Sequence, residues 1–388
     1  MPLAPSQEGG ERLGHQSMID PAADLLPEGL EDRLPQSTAA AVRIERAALA
    51  VLDAHGYDRV RPPLIEFESS MARRMHGLKT RNMFRFVDPR SLRMLALRSD
   101  MTAQTGRIAA TGLSAAARPL RLCYAGQIAR MTGDMLDPRR EELQLGAELV
   151  GTDSVAAAAE VVALAIEALE AAGATGISVD FTLPDLVDTL AADALPLDAA
   201  QIDAVRRELD AKDVAALKAA GGEDYVPLLY AAGDFATAVD KLAQLDAGGS
   251  LATRIDALRQ IAARVQGRAR LTLDPSERHG MQYQSWFGFT IYADGVRGAL
   301  GRGGTYTIGG TDEPATGFSL YPEELVDAVK AGEQLRPRLF LPLGHDSADA
   351  AAFRADGWRT IAALSETDDA AVLGCSHRLE AGAAVPLA

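Results

Sequence analysis

The twelve residues REELQLGAELVG, 140–151, constrain the fold more than any other stretch of the chain. Leu143, Leu145, Ala147 and Leu149 alternate with Glu142, Gln144, Gly146 and Glu148. A period of two belongs to a β-strand, with one apolar face for a core and one polar face. Such a strand needs neighbours. RPLRLCYAGQIAR (118–130), GISVDFTL (176–183), RLTLDP (270–275), WFGFTIYADG (286–295) and RGALGRGG (297–304) read as strands, and 83–89 with 93–99 as a hairpin around Asp88-Pro89. Few of these are separated by crossover helices, so we expect an α+β domain: an antiparallel sheet flanked by helices.

The helical signals are as clear. Residues 37–55 predict an amphipathic helix capped by Ser37 or Thr38, with Val42, Leu49 and Leu52 on one face and Gly56 as the stop. Pro62 and Pro63 keep the next segment extended and out of a central strand. A long Ala-rich helix over 154–172 ends at Gly173, and a further helix near 322–331 closes the main domain. Between 184 and 267 the chain turns rich in Ala, Leu and Asp at helical spacing, which predicts five or six short helices inserted into that domain. The expected organisation is a flexible arm (1–24), a main domain (25–183 and 268–335), a helical insertion (184–267) and a small α/β extension (336–388). In that extension RLFLPLG, WRTIAALS and DAAVLGCS read as strand-like pieces.

Charge and composition exclude several classes. With 39 Lys+Arg against 54 Asp+Glu the net charge is −15, which opposes binding of a long nucleic acid. The N-terminal segment has no apolar core of a secretory signal, and apolar runs stop short of a membrane span. Cys123 and Cys375 are far apart, which fits a reducing cytoplasm and neither a disulfide framework nor a metal site.

The polar face of 140–151 carries the chemistry. Taken alone it is equally the solvent side of a half-buried sheet. Gly146, however, weakens a strand unless something must approach it, and it leaves room for a small polar ligand between Gln144 and Glu148. The surrounding segments then resemble, in order over residues 25–330, the catalytic domain of class II aminoacyl-tRNA synthetases, histidyl-tRNA synthetase in particular. Helix 37–55 with RPPLIE resembles motif 1, and CYAGQIARMTGDMLDPRREELQLGAE resembles motif 2 with its following strand. LALRSDMT, RHGMQYQSWFGFTIY, GRGGTYT and GFSLYPEEL resemble the Leu-Arg-Pro-Glu-Gly-Thr, histidine-specific, Gly-Gly-Gly-Arg-Tyr-Asp and motif 3 segments.

The resemblance implies a histidine pocket of Asp100, Thr102, Arg130, Gln144, Glu148, Tyr283 and Tyr306. Acidic and amide acceptors suit an ammonium, and a carboxylate suits an imidazole N–H. Asp100 is equally placed to cap a helix, and Tyr306 to pack in a sheet. The second tyrosine of the family's pair is Gln284 here. Adenylation, by contrast, requires guanidinium donors around the α-phosphate. Arg130 stands at the motif 2 place, but Glu324 replaces the motif 3 arginine, His279 the histidine-specific arginine and Thr132 the adenine-reading glutamate. The adjacent Arg278 would face the other way on a strand. About 50 residues follow Arg338, too few for an anticodon-binding domain of about a hundred.

An intact pocket without its adenylating device resembles the ATP phosphoribosyltransferase regulatory subunits, a family paralogous to histidyl-tRNA synthetase. That resemblance implies no catalytic residue and no cofactor. It implies a short-form catalytic subunit as partner, a homodimer within a hetero-octamer, and L-histidine as feedback effector. The alternative is a divergent histidyl-tRNA synthetase-like adenylating enzyme; a third class is a scaffold with a vestigial pocket.

Overall fold

The computed structural model describes residues 25–74, 82–131, 138–246, 248–278, 283–330 and 336–387. The expected arm, Thr132 and His279 lie outside these residues. The chain divides into two compact units, Met1–Ala328 and Val329–Ala388.

In the larger unit the first strands are β1 (Asp58–Arg59), β2 (Ile65–Phe67), β3 (Arg85–Val87), β4 (Met94–Leu97), β5 (Leu120–Ala129) and β6 (Glu141–Val150). They are followed by β7 (Ser178–Thr182), β8 (Gly233–Asp234), β9 (Arg270–Leu273), β10 (Gln284–Tyr292), β11 (Gly301–Thr307) and β12 (Pro314–Leu320). Nine of them form one sheet in the order β1-β5-β6-β12-β11-β10-β7-β9-β8. Its centre, β5 to β7, is antiparallel throughout, while β1 on β5 and β9 on β7 are parallel. A separate sheet, β2-β4-β3, contains the Asp88 hairpin; there Asp88 accepts from the N–H groups of Arg90 and Ser91 and so sets the turn.

Helices α1 (Pro35–Ala54), α2 (Glu68–Arg74), α3 (Thr102–Ala110) and α4 (Val155–Ala171) precede the helix-rich segment. There α5 (Leu186–Ala191), α6 (Ala199–Asp210), α7 (Val214–Ala219), a 3-10 helix (Glu223–Tyr230), α8 (Phe235–Leu245) and α9 (Ala252–Val265) follow one another. The short β8 interrupts them and pairs with β9, tying the segment to the edge of the sheet. Among the described residues no helix is long and apolar enough to cross a membrane.

Both faces of β6 are covered. Leu145, Ala147 and Leu149 lie on the side of α4, as the ion pair from Arg121, opposite Leu149 in register, to Glu160 of α4 shows. Ser154 caps α4 by accepting from the Ala157 N–H at 3.2 Å. On the other side Ala109 of α3 packs with Leu122, Val150, Tyr306 and Ala315. Gln144 and Glu148 are therefore 0% and 1% exposed, and this polar face is an interior one.

Local departures have local causes. Helix α1 begins at Pro35 and has no side-chain cap, because proline suits a first helical position; Thr38 instead donates to the Arg33 carbonyl. Its buried face is Ala40, Ile44, Ala48 and Leu52, an i, i+4 row, while Val42 points outward. Gly56 ends it at φ 77°, a conformation open to glycine. Residues 297–300 turn rather than extend, and GFSL, read only as the approach to a helix, belongs to the central strand β12.

The smaller unit holds β13 (Arg338–Leu341), α11 (Ser347–Ala355), β14 (Arg359–Ala362), β15 (His377–Glu380) and β16 (Ala383–Pro386), with strand order β14-β13-β15-β16. Leu339, Leu341, Ala350 and Leu379 are its core. DAAVLGCS forms a turn and not a strand, because the Asp369 carboxylate accepts from the N–H groups of Ala371 and Val372; the third strand is His377–Glu380 instead.

Candidate functional site

The middle of the large sheet is paved with glycine on its α3 side. A Cβ at Gly146 would collide with the Tyr124 phenol, one at Gly317 with the Glu148 carboxylate, and one at Gly288 with the Gln284 amide. Tyr124 and Glu148 thus lie flat across a glycine of the neighbouring strand, and Gln284 across one of its own strand. This corrects the reading of Gly146: the space above it is filled by Tyr124, its register partner on β5, and not left for a ligand.

Beside this paving lies a narrow recess lined by residues that include Thr102, Glu148, Tyr283, Gln284, Arg302, Tyr306 and Ser319. Glu148 is its centre. Tyr306 donates to its Oε2 at 2.8 Å and Tyr124 to its Oε1 at 3.1 Å. Burial holds the Glu148 carboxyl up at about 8, against the pull of hydrogen bonds from Tyr306, Thr102 and Tyr124. The Tyr283 ring meets Tyr306 edge-on with centroids 5.9 Å apart.

One layer behind the recess, Asp100 and Gln144 are joined. The Thr102 N–H donates to Asp100 Oδ1 at 2.7 Å, so Asp100 fastens the start of α3, although Met101 is the residue in the N-cap place. Gln144 donates to Asp100 Oδ2 at 3.0 Å and to Ser319 Oγ at 2.8 Å, and accepts from the Met101 N–H at 2.7 Å. Its amide is thereby committed to placing Asp100, Ser319 and the α3 entrance. Burial also raises the Asp100 carboxyl, opposed by its bonds to Thr102 and Gln144 and by the Arg130 charge.

Of the residues expected from sequence, Thr102, Glu148, Tyr283 and Tyr306 line the recess and Asp100 and Gln144 support it. Arg130 does not line it: its Nη1 sits 2.5 Å from Glu142 Oε1, and its guanidinium stacks over Tyr321 at 5.2 Å. Tyr124, Ser319, Arg302 and Gln284 are the additions. Tyr124 was beyond strand periodicity, since its role rests on lying directly opposite Gly146. Gln284, in the place of the second tyrosine, donates to the Gly303 carbonyl at 2.8 Å. Among the described residues no cluster suits a metal ion.

The motif 3 place is equally informative. The 3-10 turn Pro322–Glu324 presents Glu323 and Glu324 to the start of β6. Glu323, buried, accepts from the Leu143 N–H at 2.7 Å and pairs with Arg33 and Arg139; Glu324 pairs with Arg139. Arg278 is not on a strand. It lines a second groove with Arg206, Arg254 and Trp286, and its N–H donates to Asp210 at 2.9 Å.

The family model for histidyl-tRNA synthetase matches residues 29–325. An ATP phosphoribosyltransferase regulatory subunit from Rhodospirillum centenum is 41% identical over 369 residues, covering 92% of this chain and 95% of that protein. One from Paramagnetospirillum magneticum is 41% identical over 366 residues, at 92% and 96% coverage. The chain belongs to the ATP phosphoribosyltransferase regulatory subunit family. The fold agrees. A solved ATP phosphoribosyltransferase regulatory subunit/histidyl-tRNA synthetase from Bacillus halodurans superposes with a TM-score of 0.78 at 22% identity, covering 92% of this chain and 97% of that one. In this regulatory-subunit family member the α+β, class II synthetase-like fold therefore carries the recess on its central sheet.

Proposed function

We propose that this chain is the non-catalytic regulatory subunit of an ATP phosphoribosyltransferase. It activates a short-form catalytic subunit in the first step of histidine biosynthesis, assembles with it in the cytoplasm as homodimers within a hetero-octamer, and conveys feedback inhibition by L-histidine. The observation that carries this reading is the pairing of a buried acidic recess with a blocked neighbour. Glu148 provides an acceptor for an imidazole, backed by Asp100 one layer behind, while the arginine-bearing turn of an adenylating enzyme is here Glu323 and Glu324, bound to Arg33 and Arg139. Two carboxylates so placed repel a triphosphate.

Histidine acts by differential affinity. It favours the state of the complex in which the catalytic subunit is slow, and it does so only to the extent that it binds that state better. In a reconstituted complex, Glu148→Gln keeps the shape of the recess and removes its titratable carboxyl. The expected result is a histidine inhibition curve moved about five- to 150-fold to higher concentration. An unshifted curve places the switch elsewhere. In parallel, the purified chain should show no histidine-dependent pyrophosphate–ATP exchange above blank; robust exchange returns the adenylating alternative.

A further inference from the structure

Three arginines approach the site, and among the described residues only Arg302 has no partner for its side chain. Arg98 donates to the carbonyls of Gln127 at 2.7 Å and Pro62 at 3.0 Å, which fastens β4 to its neighbours. Arg130 is held by Glu142. Arg302 has no hydrogen bond or ion pair among the described residues, and its Nε is shut away from solvent without a partner. A buried donor left unmade is costly, so a group in that position marks a place for a missing acceptor.

Its placement is definite. On β11 the alternation puts Arg302, Gly304 and Tyr306 on one face, and all three line the recess. Arg302 stands opposite Ser319 on β12, while Tyr306 reaches Glu148 from further along the same strand. The recess thus has one carboxyl, Glu148, on the β6 side, with Asp100 one layer behind it, and the Arg302 guanidinium on the β11 side.

We propose that Arg302 is the carboxylate clamp of this recess and makes it selective for a free α-amino acid. The assignment rests on the histidine pocket proposed above and deepens it. An amino acid whose ring meets Glu148 still brings a carboxylate into a buried site. A guanidinium fork satisfies both of its oxygens at once. The clamp also opposes activation chemistry. A carboxylate held bidentate by arginine has its lone pairs engaged and is not free to attack phosphorus. The recess therefore reads the free acid and discriminates against the amine, ester or amide of the same side chain.

The test uses the full chain and calorimetry with L-histidine and histamine, which differ by the carboxylate alone. The wild-type protein should bind histidine about ten- to a hundredfold more tightly than histamine. Arg302→Gln should lose that margin for histidine and leave histamine within about twofold. Arg302→Lys, which keeps the charge without the fork, should fall between the two. Equal wild-type affinity for both ligands overturns the clamp, and this needs no variant to fold. Equal weakening of both ligands in Arg302→Gln makes the residue structural and also overturns it. A wild-type protein that binds neither ligand removes the histidine pocket itself, and the clamp with it.

Discussion

At the residue scale the centre of the molecule is a carboxyl that is kept protonated. Burial outweighs the two tyrosine hydroxyls and holds Glu148 at about 8, so in the empty site it carries a proton near neutrality. Free imidazole titrates near 6.5. Between about 6.5 and 8 the carboxyl brings one proton and the ring none, which is what a carboxylate–imidazole pair shares. Below that window the ligand brings a second proton that must leave; above it both partners are bare and one must be taken up. Histidine affinity should therefore be greatest between about pH 6.5 and 8 and fall by up to about tenfold per pH unit on either side. Affinities measured at acid, neutral and alkaline pH check this, and a flat profile removes Glu148 from the contact. Glu148, Thr102 and Tyr306 were legible in the sequence. Tyr124 was not, because its role depends on which residue of β6 lies opposite it, and register is a property of two strands.

At the element scale, the turn between β12 and α10 (Leu325–Lys330) shows how two adjacent carboxylates differ. The Glu323 side chain is 3% exposed and bonded to the backbone of β6, whereas that of Glu324 is 32% exposed. Glu323→Gln weakens two arginine pairs and should lower stability by about 1–3 kcal/mol. Glu324→Gln loses a partly solvated pair and should change stability by no more than about 1 kcal/mol. Urea midpoints at unchanged slope compare the two, and equal losses would mean that the turn is not anchored through Glu323. The strand before this turn is also the one whose extent was missed. PATGFSL combines a proline and a glycine with few β-branched residues, so its propensity is poor; it is a strand because β6 and β11 satisfy its backbone on both sides.

At the scale of the whole molecule, several of the exposed large apolar side chains gather around α1 and β2. Leu34, Val42, Leu64 and Ile65 are all exposed, with Leu34 69% and Leu64 48% accessible. Val42, Leu64 and Ile65 lie within the segments that resemble motif 1, and Leu34 just precedes them. Isolated apolar residues need no explanation, but several around α1 and β2 suit burial by a second copy. Light scattering at micromolar concentration should give a homodimer, and Ile65→Glu should shift it towards monomer by placing a charge in that contact. A wild-type monomer under the same conditions removes this surface as the interface. The charge of −15 belongs to this scale too, as a property of the surface that folding does not alter.

What the sequence determined by itself was whatever depends on neighbours a few residues apart: the period-two strands, the α4 helix with its Ser154 cap, the stop at Gly56, and the order of segments that marks the family. Hydrophobic periodicity and glycine stereochemistry act locally and can be read locally. Only the tertiary structure decided that the polar face of β6 is buried, that Gly146 makes room for Tyr124, that Gln144 is consumed in holding Asp100, and that Arg302 is left without a partner. Each of those facts is set by strand register and by what packs across the sheet. Burial and hydrogen-bond satisfaction belong to a set of residues far apart in the chain, so no single stretch of sequence holds them.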